Sequence, residues 1–89
     1  MVTEQDGHTL TLRYFAAVRE TVGCGSERWV SQAATLNDLV TELRARGAPW
    51  DTALATKGLR MAHNQTMAQP NAALGDGDEV AFFPPVTGG

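Results

Sequence analysis

The stretch that decides the fold is "GDGDEVAFFPPVTGG", residues 75–89. Gly75-Asp76-Gly77-Asp78 is turn chemistry, rich in residues that tolerate left-handed backbone or bond their own main chain. It launches Glu79-Val80-Ala81-Phe82-Phe83, a final strand apolar on both faces. Pro84 and Pro85 fix their φ angles and have no N–H to donate to a ladder, so the strand must stop there. The proline pair is expected to hold the chain extended as it leaves the domain. Val86-Thr87-Gly88-Gly89 then offers nothing able to pack back. Extended, the segment from Pro84 onward can reach roughly 20 Å from the domain.

Upstream, His8-Thr9-Leu10-Thr11-Leu12-Arg13-Tyr14-Phe15 alternates, which puts Leu10, Leu12 and Tyr14 on one face of a first strand. A short helical segment is predicted from Ala16 to about Val22, broken by Gly23-Cys24-Gly25, with a second strand from Ser26 to Ser31. The clearest helix runs from Thr35 toward Gly47. Leu36, Leu39, Val40 and Leu43 form its burial stripe, Thr35 can cap it, and Asp38 suits its positive end. Arg44 and Arg46 complement the other end, Gly47 is a left-handed stop, and Pro49 prevents continuation. Trp50 to Ala55 allows one more short helical turn, with Trp50 and Leu54 facing inward. Leu59 to His63 alternates again and leads through Asn64-Gln65 into a short strand at Thr66-Met67. Pro70 to Leu74 is a connector.

A first hairpin, a crossing helix and a last strand returning to the middle of the sheet define an α+β class, the β-grasp or ubiquitin-like layout. The expectation is a mixed sheet of about five strands with one main helix packed on one face. The organisation follows: a polar extension over 1–7, the domain over 8–83, and an extended tail over 84–89. Side-chain parity then assigns the uncovered face. If Leu10, Leu12 and Tyr14 meet the helix, Phe15 points away; Val80 and Phe82 are core, while Ala81 and Phe83 emerge outside. Met67 can join Phe15 and Phe83 there, giving an apolar patch of the kind that marks a partner surface. A one-residue register slip would instead turn Phe83 into the core.

Composition excludes several classes. The chain has 89 residues, one cysteine and a net charge of −3, with no basic block. That is one domain without an internal disulfide, and it lacks the electrostatic footprint of a nucleic-acid binder. No apolar run approaches the roughly 20 residues of a membrane span, and the polar start is unlike a signal peptide. The expectation is a cytoplasmic protein without nucleic-acid or membrane partners.

The tail carries its own chemistry. Gly88 and Gly89 lack a Cβ and fit a channel too narrow for other residues. The distinctive group is the Gly89 α-carboxylate, a poor electrophile until it is adenylated with ATP. A nucleophile can then take the acyl group. If that nucleophile delivers sulfur, the product is a thiocarboxylate on a flexible arm.

At these residues the sequence resembles the family of small, sulfur-carrying subunits of molybdopterin synthase. The likeness runs from about Leu10 to Gly89 and is carried by "LRYFAAVRETVG", "NQT" and above all "GDGDEVAFFPPVTGG". It implies that an E1-like adenylyltransferase activates Gly89 with ATP and that a sulfurtransferase supplies the sulfur. It implies further that the tail from Pro84 and Pro85 through Val86, Thr87 and Gly88 threads into the large synthase subunit. There two sulfurs, one per small subunit, reach cyclic pyranopterin monophosphate for molybdenum cofactor biosynthesis. The family's assembly is a heterotetramer, and its hydrophobic docking surface matches Phe15, Met67 and Phe83. The resemblance implies no bound cofactor and no metal, and a sulfur-donor subunit rather than a catalyst. Related β-grasp carriers for thiamin or tRNA thiolation, a ubiquitin-like modifier conjugated to lysines, and an interaction domain with an inert tail are the competing readings.

Other reactive residues carry little. Cys24 has no histidine nearby in sequence, and His8 and His63 lack ligand-spaced partners. Asp76, Asp78 and Glu79 lack a calcium-loop pattern and are read as shaping the turn. Lys57 is read as solvated. No nucleophile, base and orienter set is present, so no active site is expected within the chain itself.

Overall fold

The computed structural model describes residues 7–85. Eight elements follow in order: β1 (His8–Tyr14), α1 (Ala16–Val22), β2 (Ser26–Ser31), α2 (Leu36–Arg44), α3 (Trp50–Ala53), β3 (Arg60–His63), β4 (Thr66–Ala68) and β5 (Glu79–Phe83). The five strands form one mixed sheet in the order β2-β1-β5-β3-β4. β1 pairs antiparallel with β2 and parallel with β5, whose other edge runs antiparallel to β3. The last strand therefore does return to the middle, and the fold is the ubiquitin-like β-grasp.

The alternation in β1 is what closes the core. Leu10, Leu12 and Tyr14 point at the helices and are almost wholly buried, as are Val80 and Phe82 opposite them. Leu36, Leu39 and Leu43 cover them from α2, and Val18 and Val22 from α1. Val40, expected in the same stripe, is only partly buried at its edge.

Helix α2 starts as expected: the Thr35 side chain accepts from the Asp38 N–H at 3.2 Å. Two further free amides of its first turn, those of Leu36 and Asn37, donate to the carbonyls of Ala72 and Pro70 in the connector. The helix ends at Arg44, three residues before Gly47, where φ is +88°. Arg46 then reaches back, its guanidinium 4.4 Å from the Trp29 ring and 3.6 Å from the Trp50 ring. It also bonds Glu27 at 2.9 Å, while the Tyr14 hydroxyl donates to the same carboxylate at 2.7 Å. This knot ties α2, α3, β1 and β2 together across the inner face.

The β3–β4 connection is the predicted hairpin turn: Asn64 and Gln65 both adopt positive φ, the geometry that suits the right-handed twist of the flanking strands. Asp76 and Asp78 shape the turn before β5 as expected. Asp78 accepts from the Gly75 N–H at 2.8 Å, and Asp76 accepts from the Thr9 N–H at 2.7 Å.

Candidate docking face and tail exit

The register settles the parity question. Ala62 faces Ala81, and Met67 faces Ala62, so these side chains share the outer face of the sheet. Phe15 lies one residue past β1 and stays extended, with φ −124° and ψ 152°. Its N–H donates to the Phe82 carbonyl, which continues the alternation of β1 by one position and carries its ring outward. There it stacks on Phe83 with ring centroids 5.0 Å apart and planes 11° from parallel. Phe15 is 38% exposed and Met67 54%, both large apolar groups that a folded domain ordinarily covers. Phe83 is half-buried, and no register slip turns it inward. The three residues named from the sequence thus meet in one apolar groove of about 600 Å³, bordered by Arg60, Pro84 and Pro85.

Three features of this site were not foreseen. Ala16 adopts φ +51°, uncommon for a residue with a side chain, and this sharp turn diverts the chain into α1 while leaving Phe15 outside. Alanine does not advertise that conformation, so nothing in the sequence signals it. Pro85 lies over Gly58, where φ is +81° and an added Cβ would sit 3.1 Å from the proline Cβ. That contact joins residues far apart in sequence and fixes where the tail departs. Third, alternation in β3 places Arg60 outside beside Phe83, a position legible from Leu59 to His63 but not singled out.

Pro84 and Pro85 are half-buried and outside every strand, as their missing N–H groups require. Val86, Thr87, Gly88 and the proposed sulfur-bearing Gly89 lie outside the described residues.

Several ionisable side chains elsewhere in the domain have structural partners. Burial alone would raise the Glu27 carboxyl, yet the Arg46 guanidinium and the Tyr14 hydroxyl bring it below its usual value. Burial, and then the same carboxylate, push the Tyr14 hydroxyl well upward. The Glu42 carboxylate accepts from Ser31, Trp29 and the Gln32 N–H, which outweigh its burial and lower it. His63 pairs with Asp78 at 2.5 Å, and chiefly this bond holds the Asp78 carboxyl down. Cys24 is half-buried and unbonded to sulfur, and Lys57 is exposed. Among the described residues, no three His, Cys, Asp or Glu side chains converge as a metal ion would require. No described helix is long and apolar enough to cross a membrane.

A β-grasp domain with an uncovered aromatic groove at the outgoing end of its last strand is a ubiquitin-like protein with a face open to a partner. The chain belongs to the ThiS family, whose model matches residues 12–89. It is 43% identical over 76 residues to the molybdopterin synthase sulfur carrier subunit of Escherichia coli, covering 85% of this chain and 94% of that one. It is 36% identical over 96 residues to small archaeal modifier protein 3 of Haloferax volcanii, covering 90% of this chain and 98% of the relative. The solution structure of the Haloferax volcanii HVO 2177 protein superposes with a TM-score of 0.78 at 32% identity, spanning 100% of this chain and 93% of that one.

Proposed function

We propose that this protein is the sulfur-carrier subunit of a molybdopterin synthase. The observation that carries the proposal is the coincidence of two features at one end of β5. The strand leaves the sheet through a proline pair, and the apolar groove of Phe15, Met67 and Phe83 opens beside that exit. A docked partner would therefore receive the tail at the edge of its own contact surface. The shared identity with the Escherichia coli sulfur carrier supports the same reading.

The chemistry resides in Gly89. An E1-like adenylyltransferase joins its carboxylate oxygen to the α-phosphorus of ATP, and pyrophosphate leaves. The outer sulfur of a sulfurtransferase persulfide then attacks the acyl-adenylate carbonyl and AMP departs; a second thiol reduces the resulting acyl disulfide, forming a disulfide with the sulfurtransferase cysteine and freeing the thiocarboxylate. Delivered by Val86, Thr87 and Gly88 into the large synthase subunit, that sulfur bonds to cyclic pyranopterin monophosphate, and water then cleaves the Gly89 acyl–sulfur bond, returning the carboxylate. Two carriers supply the two sulfurs of the dithiolene. ATP is consumed by the activating partner and needs no site on this chain.

Intact-mass analysis of the protein isolated from its host tests this directly. Sulfur in place of one oxygen at Gly89 is the expected result, and deleting Gly89 should abolish molybdopterin formation while the domain keeps its fold. A second reading has one observation in its favour, the relative named as an archaeal modifier. Isopeptide adducts to lysines, with no sulfur at Gly89, would establish that reading instead.

A further inference from the structure

The outer face does not share the charge of the whole molecule. The chain is acidic, at −3. Yet the ladders place Arg28 opposite Thr11, Arg13 opposite Ala81 and Arg60 opposite Phe83, all on the face that carries the groove. Glu79 is the one acid among the described strand positions of that face, and Arg13 already engages it at 3.4 Å. Arg28 and Arg60 have no ionic partner among the described residues. Arg60 borders the groove itself, next to Phe83, Pro84 and Pro85.

We infer that this face selects a protein partner whose apolar surface is flanked by carboxylates, with Arg60 as the specificity-determining contact. The inference rests on the groove being the docking surface proposed above. Covering Phe15 and Phe83 would strip water from the neighbouring guanidinium, and a desolvated charge left unpaired is strongly unfavourable. A carboxylate answers it with two parallel charge-assisted hydrogen bonds, a geometry that the planar guanidinium is shaped for. The inner face supplies the contrast, since Arg46 there has both its aromatic rings and its carboxylate within the fold. Arg60 has the rings beside it and lacks the acid. A second copy of this chain fits poorly, because face-to-face pairing sets Arg28 and Arg60 against an equally basic surface. The occupant is a different protein, and its acids lie beside the tail's point of entry.

Calorimetric titration of the full-length protein with the large synthase subunit of the same host tests the inference. Affinity should fall from roughly 50 mM to roughly 500 mM salt, over which screening of exposed charges becomes nearly complete. Arg60→Glu should weaken binding at least about tenfold at low salt and should flatten the salt dependence. Arg60→Lys should recover only part of the loss. Both variants should keep the thermal transition of the parent, since the side chain is exposed. If Met67→Ser weakens binding and Arg60→Glu does not, the carboxylate-flanked partner is wrong while the docking face stands. If neither substitution weakens it, the docking reading falls and this inference with it. A homodimer dispersed by Arg60→Glu, or Arg60-dependent capture of an oligouridine probe with unchanged affinity for the large subunit, would also overturn it.

Discussion

Tyr14 and Phe15 are adjacent in sequence, as are Phe82 and Phe83, and each couple is divided between the two faces of the sheet. The result is two stacked aromatic pairs built from the same strand ends. On the inner face Tyr14 and Phe82 lie 5.7 Å apart at 18°, and on the outer face Phe15 and Phe83 lie 5.0 Å apart at 11°. The stacking is nearly the same, but the cover is not. The inner pair is 1% and 0% exposed under the helices, whereas Phe15 keeps 38% of its surface open. Ring stacking therefore says nothing by itself about role. What lies above the rings decides whether a pair holds the fold or awaits a partner.

Truncating one ring at a time separates the two roles most sharply. Phe82→Ala should cost about 3–5 kcal/mol of folding stability in denaturant titrations, the usual range for emptying a core aromatic site. Phe83→Ala should cost clearly less stability than Phe82→Ala, about 1–2 kcal/mol, because its ring lies on the outer face of the sheet and outside the core. It should also cost about 2 kcal/mol of binding to the large subunit, as an anchor at the centre of a contact does. Equal stability losses from the two changes would erase the distinction between the faces.

The charged groups sharpen the same contrast. Arg46→Ala removes two ring contacts and the Glu27 bond, and about 1–2 kcal/mol of stability should disappear from thermal or chemical unfolding. Glu27 adds a pH signature. Its carboxyl sits below the usual 4.5 in the folded protein, so its stabilising contribution is complete above that value. The contribution is lost as pH falls through the lower folded value. Glu27→Gln should consequently melt lower than the parent at neutral pH and lose less on acidification, in melting curves collected from pH 7 to pH 3. Asp78, also held low, contributes in the same direction and should remain in both proteins. An effect of similar size to that of Arg46→Ala is expected at Gly58, where an alanine would take a left-handed backbone and press on Pro85. About 1–2 kcal/mol of stability should be lost there, together with a slower sulfur transfer that outlasts correction for folded protein. A rate unchanged after that correction would mean that Pro85 does not aim the tail.

The sequence made the inner face and the sheet order readable because both follow from local pattern. Leu10, Leu12 and Tyr14 alternate, Leu36, Leu39 and Leu43 recur at helical spacing, and Asn64-Gln65 marks a turn. The same alternation carried to Phe15 and Phe83 located the groove. Contacts between distant elements were not readable. Arg46 reads from the sequence as a helix-end charge, with no sign that Trp29 and Trp50 close around it. The pairing of His63 with Asp78 depends on β3 and β5 lying side by side in one particular register. The positive φ of Ala16, at the junction of β1 and α1, is a backbone that alanine does not prefer and so leaves no trace in the sequence.

The central position of β5 has a mechanical side. A pull applied to the end of this chain would act along a strand gripped on both edges, by β1 in parallel and by β3 in antiparallel. Rungs lying across the direction of load share it together, instead of parting one after another as they do when a strand is peeled from the rim. A machine that seizes the outgoing segment can therefore draw on it hard without unravelling the domain behind it.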